Sequence, residues 1–107
     1  MAVGVIRLIR ELPENIYSKV IASQILRSAT SVGANYRAAS RAKSPADFIN
    51  KLKIVEEEAD ETLYWLELMV DCELIAEERI LATKNEVNEL VAIMVASINT
   101  AKRRYAK

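Results

Sequence analysis

The stretch from Ser44 to Leu74 constrains this chain more than any other, because it reads as one long helix whose start and seam are both written in side chains. Ser44 can cap it, since its hydroxyl accepts from a free amide of the first turn. Pro45 falls where a missing N–H costs nothing. Asp47 completes a Ser-x-x-Asp start and suits the positive end of the helix dipole. From there Phe48, Leu52, Val55, Ala59, Thr62, Leu66 and Met69 recur at alternating steps of four and three. That is the seam of a helix packed lengthwise against other helices.

The same helix carries more apolar surface than one seam requires. Ile54, Tyr64, Trp65 and Leu68 lie off the seam, and Leu63 to Val70 is apolar nearly all round except at Glu67. A helix in a small bundle needs one apolar stripe and a polar far face. Among these positions runs an acidic series, Glu56, Glu57, Glu58, Asp60 and Glu61. Its i,i+4 pairs repel by a few tenths of a kcal/mol each. Two readings stand open. In one, the acids form a solvated face and Trp65 and Leu68 widen the core stripe. In the other, Ile54, Glu61, Tyr64, Trp65 and Leu68 form a subunit interface, because exposed apolar patches of this kind mark contacts.

The rest of the chain fits around that helix. Residues 2–11 read as a short helix ended by Pro13, with Val5, Ile6, Leu8 and Ile9 apolar. Gly4 inside it costs about 1 kcal/mol relative to Ala. Ten residues are marginal alone, so the segment must lean on its neighbours, and it reads as the tail of a longer helix. Residues 16–43 form a second helix, apolar or small at Ile21, Ile25, Ala29, Val32, Tyr36 and Ala39. Its many small residues allow close helix approach, and Gly33 predicts a tight crossing or a bend. Between Asn15 and Ala46 there are five basic residues and no acid. At 100° per residue, Lys19, Arg27, Arg37 and Arg41 fall within roughly 80° of arc, opposite the apolar side. Residues 45–73 and 77–106 are the third and fourth helices. The fourth carries Ile80, Val87, Val91, Met94, Ile98, Ala101 and Tyr105 on its stripe, with Lys84 as an intruder. Its end is basic: Lys102, Arg103, Arg104 and Lys107.

With 107 residues, 51% of them hydrophobic, and only two Gly and two Pro, the chain is expected to be one all-α domain over residues 1–107. Short connections predict an antiparallel up-down-up-down four-helix bundle. Fifteen basic and fifteen acidic residues cancel, so no global attraction to nucleic acid or membrane is implied. No apolar run approaches the ~20 residues of a membrane span, and the N-terminus is wrongly arranged for a signal peptide. The single cysteine, Cys72, allows no intrachain disulfide and fits a reducing, cytoplasmic setting. Histidine is absent, which removes most catalytic and metal chemistry. Cys72 has no base to activate it and is flanked by Asp71 and Glu73, which blunt a thiol. Both glycines lie outside any phosphate loop. An all-carboxylate Ca²⁺ or Mg²⁺ site at Glu57, Glu58 and Glu61 is chemically possible, and it is not favoured. The expectation is no enzyme activity, no metal and no cofactor.

Two stretches resemble a known family. Ser28-Ala29-Thr30-Ser31-Val32-Gly33-Ala34-Asn35-Tyr36-Arg37-Ala38-Ala39 matches one of its segments. Lys43 to Leu52, continuing through Glu57, Ala59, Glu61 and Thr62 to Tyr64-Trp65-Leu66-Glu67-Leu68, matches its long third helix. The chain resembles, over roughly residues 3–104, the four-helix-bundle proteins encoded in intervening sequences of large-subunit (23S) ribosomal RNA genes. It is similar in fold to the accessory variability determinant of diversity-generating retroelements. The resemblance implies a bundle whose first helix begins a few turns earlier and which closes into a homopentameric ring. For the retroelement relatives it also implies a basic surface that meets nucleic acid and a reverse transcriptase.

Two functions follow. The first is a non-enzymatic homo-oligomeric scaffold that binds RNA or DNA, or a ribonucleoprotein such as a reverse transcriptase complex or ribosomal component. Its binding surface would be Lys19, Arg27, Arg37 and Arg41, with Lys102, Arg103 and Arg104. The second is a purely structural protein-docking adaptor, in which those arginines pair with the acids of the third helix. Neither involves a membrane.

Overall fold

The structure, a computed structural model, describes residues 1–106. It is all helical: α1 (Ala2–Glu11), α2 (Ile16–Ala39), α3 (Pro45–Asp71) and α4 (Glu77–Arg104). Among the described residues, no helix is long and apolar enough to cross a membrane.

Local chemistry sets the ends of the helices. Asn15 caps α2 by accepting from the Ser18 amide at 2.8 Å, a cap in place of the plain turn expected at Glu14 and Asn15. Ser44 caps α3 by accepting from the Asp47 amide at 3.1 Å, and Pro45 opens the first turn, as expected. The Asp47 carboxylate reaches back one residue further than a capping box, to the Lys43 amide at 3.2 Å. The close of α3 uses no glycine. The Glu73 amide donates to Val70 O and the Leu74 amide to Met69 O, both at 2.9 Å, which is a Schellman closure. Glu73 stands in its left-handed position at φ 60.

Cross-helix pairs fix the directions. Arg27 on α2 meets Glu58 and Glu61 on α3, while Ala38 and Arg41 share a groove with Lys51. Lys84 on α4 faces Glu67, while Phe48 shares a cleft with Ala101. Glu11 of α1 bonds Arg79 of α4. Each neighbouring pair therefore runs antiparallel, α1–α2–α3–α4, with α1 and α3 on one diagonal. The bundle measures 52 × 21 × 17 Å.

The core has two halves because α1 is short. In the first half, Val5 and Leu8 of α1 pack with Ile21, Ile25, Ala29, Leu66, Met69 and Ile80. In the second half α1 is absent, and Val32, Ala39, Leu52, Val55, Ala59, Val87, Met94 and Ile98 come from three helices. Burial of each large side chain here contributes about 1.5–3 kcal/mol. Gly4 belongs to the α1–α4 contact: a Cβ added there would sit 3.1 Å from Thr83 Oγ1.

Three expectations change. Gly33 makes no tight crossing within the protomer, since no atom lies within 4 Å of the position its Cβ would take. The second helix ends at Ala39 rather than near Lys43, because Ser40 to Lys43 turn the chain into the Ser44 cap. Tyr36 and Tyr105, read as stripe positions, are half exposed because they lie near the three-helix end.

Candidate nucleic-acid interface

The second and third helices were expected to carry separate basic and acidic features, but the fold sorts charge by end instead. The α2–α3 turn and the α4 C-terminus meet, as Phe48 and Tyr105 line one cleft with Lys43 and another with Arg104. Residues 34–53 and 95–106 form this end. They hold eight cations, Arg37, Arg41, Lys43, Lys51, Lys53, Lys102, Arg103 and Arg104, against one carboxylate, Asp47. The remainder of the described chain holds fourteen carboxylates against six cations. Potentials in salt solution decay over about 8 Å, and the bundle is 52 Å long. A polyanion at one end is therefore largely screened from the acids at the other, and zero net charge says little about binding.

The cations differ in what holds them. In the acidic half, Arg27 donates to Glu58 Oε2 at 2.8 Å and also to Glu61. Arg79 donates to Glu11 at 2.7 Å, which holds the Glu11 carboxyl below its usual range. Lys84 lies 3.8 Å from Glu67. At the basic end, the side chains of Arg37, Arg41, Lys43 and Lys51 make no ion pair or hydrogen bond among the described residues. They line, with Ala34, Ala38 and Asp47, a groove of about 620 Å³.

Of the residues expected on one stripe of α2, the fold keeps Arg37 and Arg41 together and separates the others. Arg41 lies beyond the last turn of α2, Arg27 is turned onto the α3 acids, and Lys19 is exposed near the far end. Lys102, Arg103 and Arg104 are exposed on the last turn of α4, and Lys107 lies outside the described residues. Lys43 and Lys51 escaped the stripe reading because they sit on different elements. Their only signal was nearness to the turn.

The residues assigned to a subunit interface form a partly connected patch on α3. Glu61 accepts from Trp65 Nε1 at 3.4 Å as well as from Arg27. Tyr64 meets the Trp65 ring edge-on, with centroids 4.9 Å apart. Trp65 and Leu68 are half-buried against the protomer's own core, Ile54 is half-buried, and Tyr64 is 55% exposed. Glu58 and Glu61, considered as metal ligands, converge on the Arg27 guanidinium.

A family model described as 23S rRNA-intervening sequence protein matches residues 1–96. The chain belongs to that family. The match agrees with the resemblance read from residues 28–39 and 43–68. A crystal structure of a protein of unknown function from the S23 ribosomal protein family of Bacteroides thetaiotaomicron VPI-5482 is similar at 42% identity. The similarity covers 91% of this chain and 90% of that one, with a TM-score of 0.81. No curated protein matches. In this intervening-sequence protein, the groove cations Arg37, Arg41, Lys43 and Lys51 lie inside the matched span, whereas Lys102, Arg103 and Arg104 lie beyond it.

Proposed function

We propose that this intervening-sequence protein is a non-enzymatic, self-assembling helical scaffold of the cytoplasm that binds nucleic acid through the cationic end of its bundle. The sorting of charge by end carries the reading. Eight cations against one carboxylate at a single end make a local polyanion site, and contacts to phosphates release counterions with a steep salt dependence. Self-assembly, as a pentameric ring, would repeat that end and multiply contacts to one strand. It is supported by exposed Tyr64 on α3 and by Ile93 and Val95 on α4.

Filter binding of RNA at several salt concentrations tests the nucleic-acid reading. Affinity that falls steeply with salt supports it. No retention at low salt, or affinity indifferent to salt, removes it. Light scattering tests the scaffold separately: a well-folded single copy removes the ring.

A specific observation favours the protein-docking alternative. Ile16, Tyr17 and Val20 on the first turns of α2 are 69%, 70% and 55% exposed, far from the cationic end. Recovery of a protein partner after nuclease treatment, abolished by Tyr17→Ser, would favour that reading.

A further inference from the structure

We infer that the groove at the α2–α3 turn, walled by Arg37, Arg41, Lys43 and Lys51, is where the phosphodiester backbone is gripped. The inference rests on the nucleic-acid reading above and assigns it a place. Three observations carry it. The four cations come from the last turn of α2, the turn itself and the second turn of α3, yet they line one groove of about 620 Å³. The rest of its lining is Ala34, Ala38 and Asp47, so beside the cations it holds two small side chains and one carboxylate. No carboxylate answers them except Asp47, whose Oδ2 is already engaged by the Lys43 amide.

The placement is also costly without a ligand. Four like charges around one groove repel one another. Lys43 moreover precedes the start of α3, where the helix dipole disfavours a cation. Arg37 and the cations ending α4 suit C-terminal dipoles and need no ligand to explain them, but Lys43 and Lys51 have no such role. Phosphates in the groove would offset both penalties. Planar guanidinium groups at Arg37 and Arg41 can hold a phosphate in bidentate fashion, while Lys43 and Lys51 act as point charges beside it. A contact set of this kind is blind to base identity, so it predicts affinity without sequence preference.

The experiment is fluorescence anisotropy of a short fluorescein-labelled oligouridylate, titrated with the full chain across salt concentrations. Each groove contact contributes about 0.7 to the slope of log affinity against log salt on a single strand. The wild type should therefore show a slope near −3 or steeper. Arg41→Gln and Lys43→Gln lie outside the helices and should each flatten the slope by about 0.7. Asp47→Asn keeps an acceptor for the Lys43 amide and removes the one opposing charge, so it should tighten binding by about threefold at low salt. A gain of that kind cannot come from damaged folding. Circular dichroism of each variant confirms the helices. If the wild type binds with a steep slope but Arg41→Gln and Lys43→Gln leave it unchanged, the groove is wrong and nucleic-acid binding stands. If Asp47→Asn binds no tighter, the groove is likewise wrong. If the wild type binds no oligouridylate at low salt, the groove and the broader reading fall together. Equal affinity for inorganic pyrophosphate alone, displacing the oligonucleotide at matched phosphate concentration, would show a small-anion site and overturn the backbone assignment.

Discussion

Ser28 Oγ and Thr62 Oγ1 lie 2.8 Å apart where α2 crosses α3, and both residues are fully buried. Thr62 also donates to Glu58 O at 2.8 Å, and Ser28 lies 3.2 Å from Ile25 O. With one proton each, Thr62 serves its own helix and Ser28 donates across to Thr62. Losing either partner should cost about 1 kcal/mol. The double variant Ser28→Ala with Thr62→Val should cost less than the two singles summed, by about 0.5–1.5 kcal/mol. Urea unfolding of the four proteins reads the coupling, and strict additivity would mean the hydroxyls do not act as a pair.

Glu73 adopts φ 60 at the end of α3, a conformation that a side chain disfavours by about 1–2 kcal/mol. The extra backbone freedom of glycine in the unfolded chain takes back part of that gain. Glu73→Gly should therefore stabilise the protein modestly, by about 0.5–1 kcal/mol, without changing the Schellman bonds. A fall in thermal midpoint would show that the Glu73 side chain makes a contribution of its own.

Gly33 is exposed on α2 with open space where its Cβ would be. Gly33→Ala should raise stability by about 1 kcal/mol through helix propensity, a shift of roughly 4–8 °C in Tm for a domain near this size. Sedimentation velocity on the same variant checks whether Gly33 meets a second copy. A stabilised but dissociated protein would place it in an interface.

Tyr64→Ala separates the two readings of the α3 surface. Tyr64 is 55% exposed and meets the Trp65 ring edge-on. If it meets another subunit, its loss should dissociate the assembly with little change in helix content. Unchanged mass removes Tyr64 from the interface. Trp65→Ala is less clean, because Trp65 also packs on the core.

Glu11 and Arg79 tie α1 to α4, and the Arg79 hydrogen bond draws the Glu11 pKa down while the Arg79 pKa rises. A carboxylate depressed on folding stabilises fully above its unfolded pKa and loses that contribution as pH falls through the folded value. The tie should therefore hold at neutral pH and loosen only below the ordinary carboxylate range. The Glu11 carboxyl carbon, titrated by NMR, should show a low midpoint that returns to the ordinary range in Arg79→Gln. An identical midpoint in both proteins would mean the pair does not form in solution.

The helices and their core were legible from local rules. The Ser44–Pro45–Asp47 start and the four-and-three seam needed no tertiary information, and Leu52, Val55, Ala59, Thr62, Leu66 and Met69 are all buried. The candidate site was only half legible. Arg37 and Arg41 could be paired by helical spacing, but Lys43 and Lys51 could not, because periodicity within one helix says nothing about residues across a turn. The same blindness left two readings of Arg27 open, a phosphate contact or a partner for the third-helix acids, and only the fold puts Glu58 and Glu61 opposite it on α3. Gly33 misled for a related reason: a small residue permits close approach but does not supply the neighbour.

Sequence alone therefore determined which segments are helical, where α3 starts and which of its faces is apolar, since caps and periodicity act within a few residues. Only the tertiary structure decided where charge gathers. The antiparallel packing brings the α2–α3 turn beside the end of α4, and fields screened over about 8 Å respond to that proximity rather than to a chain total of zero.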